Sequence, residues 1–210
     1  MTRIMPLKLG VLASGRGSNF EALQESIEAG AVPAVIKVVI ADKPQAPVLE
    51  KAAARGIESC YINPGQFAGR QAYEQELARV CVEYGVELVV LAGYMGILGD
   101  TFINKFPLRV INIHPALLPS FSGLHAHRQA IEYGVRFSGC TVHFVDLGVD
   151  TGPIILQQTV PVLPEDDEDS LAERILREEH ILLPQAVKLI AQGRVAVEGR
   201  RVTILAEEEN

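Results

Sequence analysis

Apolar residues in this chain gather into runs too continuous for strands with one wet face. Val, Ile and Leu dominate residues 7–12, 35–41, 88–92 and 110–113, which is the pattern of strands covered on both faces in a parallel sheet. Between these runs the period changes. Tyr73, Leu77, Val80, Cys81 and Tyr84 recur at the spacing of one helix face across residues 70–84, and residues 20–29 form a further helical segment directly after a glycine-rich turn. The alternation of strand, helix and strand predicts an α/β fold with an open, mostly parallel, doubly wound sheet and helices on both faces.

After Pro115 the pattern shifts to a Pro/Gly/Ser-rich loop reaching Gly123, a helix over 125–133, and two long strands at 139–146 and 153–162. These strands are expected to pair antiparallel on the same sheet. A run of acids at 165–169 precedes Ser170-Leu171-Ala172-Glu173, which has the form of a capping box opening a long helix. The acids then sit at the positive end of that helix. Pro184 is expected to kink it. A short hairpin at about 195–205 and a charged tail follow. With no internal repeat and no linker, residues 1–210 read as one domain.

Composition narrows the function classes. At 48% hydrophobic and 21% charged, the chain has ample material for a core and is neither disordered nor fibrous. Nineteen Lys and Arg against 26 Asp and Glu give a net charge of −7, which speaks against a nucleic-acid partner. The longest apolar stretch, residues 88–99, is too short to span a membrane. Arg3 and Lys8 precede an apolar run at 9–13 that is too short for a signal-peptide core, so the expected location is the cytoplasm. Cys60, Cys81 and Cys140 are widely spaced and are read as buried, reduced thiols rather than disulfides or zinc ligands.

Several residues carry possible chemistry. Ser14-Gly15-Arg16-Gly17-Ser18-Asn19 joins the first strand to a helix, a geometry in which glycines admit an anion, Ser18 or Asn19 can cap the helix, and its free amides attract phosphate. Phe20 stands where a dinucleotide fingerprint needs its third glycine, so a plain glycine turn fits as well. Asn112-Ile113-His114-Pro115 ends a buried strand, and alternation puts Asn112 and His114 on one side. They stand at the carboxyl edge of the sheet, where such folds place ligands. An amide can donate to an oxyanion, and an imidazole can stabilise charge or move a proton near neutral pH. Asp150, on the turn between the two long strands, would raise the pKa of a nearby histidine. An amide, an imidazole and a carboxylate together suit acyl-type transfer through a tetrahedral intermediate, although each alone also has an ordinary structural reading. Glu179 falls on the stripe Leu171, Ile175, Leu182, Ala186, where a carboxylate is costly unless paired or ligand-bound. Arg70 opens a helix whose dipole disfavours a cation, so it is read as serving an acidic ligand or as a plain surface arginine.

Taken in order, the glycine loop, Val90-Leu91-Ala92-Gly93-Tyr94-Met95, Asn112-Ile113-His114-Pro115-Ala116-Leu117-Leu118-Pro119, Gly123-Leu124-His125-Ala126-His127 and the Asp150 segment resemble the phosphoribosylglycinamide formyltransferases, a family of folate-dependent formyltransferases. The resemblance runs from Leu7 to about Gly193. It implies transfer of the formyl group of 10-formyltetrahydrofolate, as co-substrate, to the amine of 5'-phosphoribosylglycinamide in purine synthesis, with no metal. It divides the chain into a phosphate-binding half at about 7–112 and a folate and catalytic half at about 86–193. Asn112, His114 and Asp150 match the catalytic trio, with Asp150 keeping His114 charged. Gly17, Ser18 and Asn19 would hold the ribose phosphate, and Glu179 would reach the same substrate. Folate would meet Met95, Gly96, Ile97, Leu98 and Asn112, with Arg70 at its acidic tail. The partners implied are these small molecules, in a monomer or a homodimer. Gly96 departs from the pattern, since many members carry arginine there, and so does Ser122, where proline is usual. His125 and His127 would position the loop or lie near substrate.

Formyltetrahydrofolate deformylases resemble the same core but usually carry an amino-terminal regulatory domain, for which a first strand at Leu7 is expected to leave no room. Methionyl-tRNA formyltransferases add a carboxyl-terminal domain for tRNA, which a chain of 210 residues with net charge −7 is expected to lack. A non-catalytic module binding a sugar phosphate would explain the glycine loop but not the trio.

Overall fold

A computed structural model describes residues 5–207; Arg3 and the last three residues of the tail lie outside the described residues. Two compact units follow each other, one up to Asn112 and one from Ile113.

The first unit contains the expected continuous strands. β1 (Leu7–Ala13) pairs in parallel with β2 (Ala34–Ala41) and with β4 (Leu88–Leu91), and β4 pairs in parallel with β5 (Val110–His114), whose last two residues open the second unit. Leu9, Val11 and Leu12 of β1 are fully buried, as a strand between two parallel neighbours requires. Around it lie α1 (Ser18–Glu28), α2 (Pro47–Ala54), α3 (Arg70–Glu83) and α4 (Asp100–Ile103). The sequence pattern misses α2, α4 and β3 (Ser59–Tyr61). A three-residue strand of Ser, Cys and Tyr and a four-residue helix are too short to show a period.

The second unit holds α5 (Ala126–Tyr133), the antiparallel pair β6 (Phe137–Phe144) and β7 (Ile154–Pro161), α6 (Glu168–Ala191), and a hairpin of β8 (Val195–Glu198) and β9 (Arg201–Ile204). Among the described residues, seven of nine strands belong to the mixed, mostly parallel sheet, with helices on both sides. The fold class expected from the sequence is the one found.

One local expectation is corrected. A capping box does open α6, but Asp167 is the cap and Ser170 its reciprocal partner, whereas the sequence suggested Ser170 and Glu173. Both Asp and Ser cap well, and the earlier cap also uses the acids: Asp166 takes a bidentate pair from Arg174, and Glu168 pairs with Arg128. Pro184 lies buried inside α6, which continues to Ala191. No helix among the described residues is long and apolar enough to cross a membrane.

A buried hydroxyl organises the segment after β5. Thr141 Oγ1, on β6, donates to the Ala116 carbonyl (2.7 Å), accepts from Leu118 N–H (3.1 Å) and accepts from Gln157 Nε2 (3.0 Å). Thr141→Val keeps the shape and orphans buried backbone groups, so it is expected to lower unfolding free energy by about 1–3 kcal/mol, read as a lower midpoint in urea at unchanged slope.

Candidate active site

His114 ends β5 and is 4% exposed, while Asn112, two residues earlier on the same strand, is half-buried. The chain then turns back on itself, with Phe121 in the left-handed region, and brings the Phe121 carbonyl to 2.8 Å from His114 Nε2. A carbonyl only accepts, so Nε2 carries a proton and donates. On the other side of the ring, Nδ1 lies 3.3 Å from Asp150 Oδ2. Asp150 is also in the left-handed region (φ 55°), which Asp tolerates better than most residues. Its turn is closed by Asp146, whose Oδ1 accepts from the Thr151 hydroxyl at 2.6 Å and from Gly148 N–H at 3.1 Å. Asp150 Oδ2 further accepts Gly123 N–H at 2.8 Å, so the loop after β5 and the turn after β6 meet on one carboxylate.

The second oxygen, Asp150 Oδ1, faces His143 Nε2 at 3.6 Å. His143 is almost fully buried on β6 and donates from Nδ1 to the Phe144 carbonyl at 2.9 Å. Sequence reasoning did not single it out. The available signal was a histidine inside the apolar run Val142-His143-Phe144, a polar group that must find partners when buried.

Electrostatics follow from this packing. Burial would raise the Asp150 carboxyl, but the facing His143 imidazole, the Gly123 amide and the His114 imidazole outweigh it and hold Asp150 below the usual carboxylate range. Burial pushes the His114 imidazole down, and Asp150 and the Phe121 carbonyl push it up without overcoming burial. Asp150 therefore acts in the direction its placement predicted, while the net displacement of His114 is downward. Burial pushes the thiols of Cys81 and Cys140 up to about 12, with Glu179 and Glu178 adding to the effect at Cys140, and such thiols are poor nucleophiles. All three cysteines are free; Cys60 is only half-buried, unlike the burial expected of it, because β3 is short and peripheral.

The glycine loop joins β1 to α1 as expected, but neither Ser18 nor Asn19 caps the helix. Gly17 occupies the cap position at φ 73°, and no side-chain cap is made. A Cβ at Gly17 would stand 2.6 Å from Val48 of α2, so glycine is required both for the turn and for the close approach. Glu179 is buried on α6 with Leu171, Ile175, Leu182 and Ala186.

Arg70 stands at the first position of α3, where its Nε donates to Glu74 Oε1 at 2.7 Å. This pairing accounts for a cation at a helix start. Its side chain remains 56% exposed. Met95 and Ile97 are exposed, Gly96 is half-buried and Leu98 is buried. His127 is half-buried and its imidazole is pushed down by burial, whereas His125 is exposed and sits at the start of α5.

A buried imidazole aligned by a carboxylate at the end of a strand suits proton movement and the stabilisation of a developing oxyanion. Among known proteins, residues 7–187 match the formyl transferase family, and the chain belongs to it. It is 39% identical to the phosphoribosylglycinamide formyltransferase of Escherichia coli K12, over 90% of this chain and 89% of that one. The crystal structure of glycinamide ribonucleotide transformylase 1 from Symbiobacterium toebii superposes with a TM-score of 0.95 at 47% identity, covering 96% of this chain and 95% of the other. The trifunctional purine biosynthetic protein adenosine-3 of Drosophila melanogaster is 44% identical over 90% of this chain, which spans 14% of that protein's length.

Proposed function

We propose that the chain transfers the formyl group of 10-formyltetrahydrofolate to the amine of 5'-phosphoribosylglycinamide, a step of de novo purine synthesis. The observation that carries this reading is the His114–Asp150 contact of 3.3 Å at the end of β5, in a chain whose full-length relatives bear the name of that activity.

In this mechanism the substrate amine attacks the formyl carbon, and the carbonyl π pair moves onto oxygen. Asn112 donates to the resulting oxyanion, and His114 stabilises it when protonated. Both His114 nitrogens already face acceptors, the Phe121 carbonyl and the Asp150 carboxylate, so the arrangement favours a second ring proton, and burial opposes that charge until negative charge develops alongside. Asp150 holds the imidazolium and helps the proton leave the attacking amine. Collapse of the adduct breaks the bond to folate nitrogen, which takes up a proton, and leaves the N-formyl product.

The amide end of α1 at Gly17, Ser18 and Asn19 supplies phosphate-binding donors, and Glu179 contacts the same substrate. Exposed Met95 and Ile97 give the folate ring system an apolar surface alongside Gly96, Leu98 and Asn112, and the exposed guanidinium of Arg70 suits its acidic tail. The test is spectrophotometric consumption of 10-formyltetrahydrofolate with and without phosphoribosylglycinamide. Consumption only with the amine is expected. Consumption without it identifies a hydrolase, and none in either case identifies a binding module.

A further inference from the structure

We infer that Tyr73, Glu74 and Tyr94 are positioning residues that fix the folate-facing segment 95–98, and that Gly96 is the residue this arrangement requires. The functional part of the inference rests on the folate reading proposed above.

The stretch between β4 and α4 has no regular structure across residues 92–99, and such segments are ordinarily the mobile parts of a fold. Here it is fastened at three points. Met95 N–H donates to Ser14 Oγ at 2.8 Å. The hydroxyls of Tyr94 and Tyr73 meet at 2.9 Å, with both rings buried. Gly99 N–H donates to Glu74 Oε1 at 2.6 Å.

Glu74 is 2% exposed, and a carboxylate so placed is stable only with its lone pairs filled. Its partners are Arg70 Nε (2.7 Å), Gly99 N–H (2.6 Å) and Phe102 N–H (3.3 Å). The last two belong to the start of α4, which has no side-chain cap from its own residues. Arg70, Tyr73 and Glu74 lie within one turn of α3, so a single helix face holds the segment at both ends. Between the anchors, Met95 and Ile97 are each 62% exposed, an apolar surface held in place before any ligand arrives.

Gly96 fits this arrangement for want of space, not for backbone freedom, since its φ is not in the left-handed region. A Cβ there would stand 2.7 Å from Cε1, Cζ and Oη of Tyr94. Any side chain at 96 must displace the Tyr94 ring, and with it the hydroxyl that meets Tyr73. The departure from arginine at this position is thus matched by where the Tyr94 ring lies.

The experiment is a double-mutant cycle of Tyr94→Phe and Gly96→Ala, with kcat, both KM values, the melting temperature, and 10-formyltetrahydrofolate binding by calorimetry in the absence of the amine. Each single change is expected to raise KM and Kd for the folate about threefold to tenfold, the scale of one lost hydrogen bond. kcat and KM for phosphoribosylglycinamide should stay within about twofold. The double variant should lose less than the product of the singles, because both changes undo the same contact. Unchanged folate affinity in both singles overturns the inference, as does an equal effect on both substrates accompanied by a lower melting temperature. Wild-type protein that neither binds nor consumes the folate would instead overturn the functional reading beneath it.

Discussion

Replacing His114 with alanine is expected to reduce kcat by about 10²–10⁴-fold while leaving both KM values within a few-fold. The imidazole is 4% exposed at the end of β5, and its ring nitrogens are committed to one carbonyl and one carboxylate. A histidine with only a structural role would lose stability on truncation and retain turnover in the folded fraction. A histidine that stabilises the oxyanion loses turnover in protein that remains folded, because its interaction with substrate is made mainly in the transition state. His114→Asn retains a hydrogen-bonding side chain in the same space, and it should stay folded yet be nearly as slow. A change in the folate KM alone would reassign His114 to binding.

Asp150→Asn is expected to lower kcat on the same scale, about 10²–10⁴-fold, and to change the shape of the pH profile. The carboxamide keeps an acceptor for Gly123 N–H but removes the negative charge that pushes the His114 imidazole upward. The His114 pKa, already below its ordinary value, must fall further. If the working form of His114 carries a proton, activity declines as pH rises through that pKa, so the alkaline limb of kcat against pH should move to lower pH in the variant. An alkaline limb that stays in place while the acidic limb moves to lower pH would mean that His114 works as the neutral base.

How much of this was legible depended on how local each signal is. The strands β1, β2, β4 and β5 are visible because burial on both faces writes continuous Val, Ile and Leu runs into the sequence. Asn112 and His114 are visible because they interrupt such a run, and Asp150 because it occupies a turn that Gly148 and Gly152 announce. Glu74 is not visible, and His143 shows only as a polar residue inside an apolar run. A glutamate on a helix ordinarily faces water, and only the return of Gly99 and Phe102 to α3 gives it a buried role. His143 occupies an ordinary strand position until the turn carrying Asp150 is placed against it. The cap of α6 was displaced by three residues because Asp167 and Ser170 are equally good capping types, and the choice was settled by Asp166 finding Arg174 across the first turns. The downward displacement of His114 also could not be read from residue types, since it arises from the depth at which β5 ends.

The most direct measurement follows the fate of the formyl carbon. The protein, supplied with 10-formyltetrahydrofolate carrying a labelled formyl group together with phosphoribosylglycinamide, should place the label on the glycinamide nitrogen in stoichiometric yield, and His114→Ala should not do so at any comparable rate. Label recovered as free formate, or unlabelled glycinamide after the folate has been consumed, would contradict transfer to the amine and with it the role assigned to the site around His114 and Asp150.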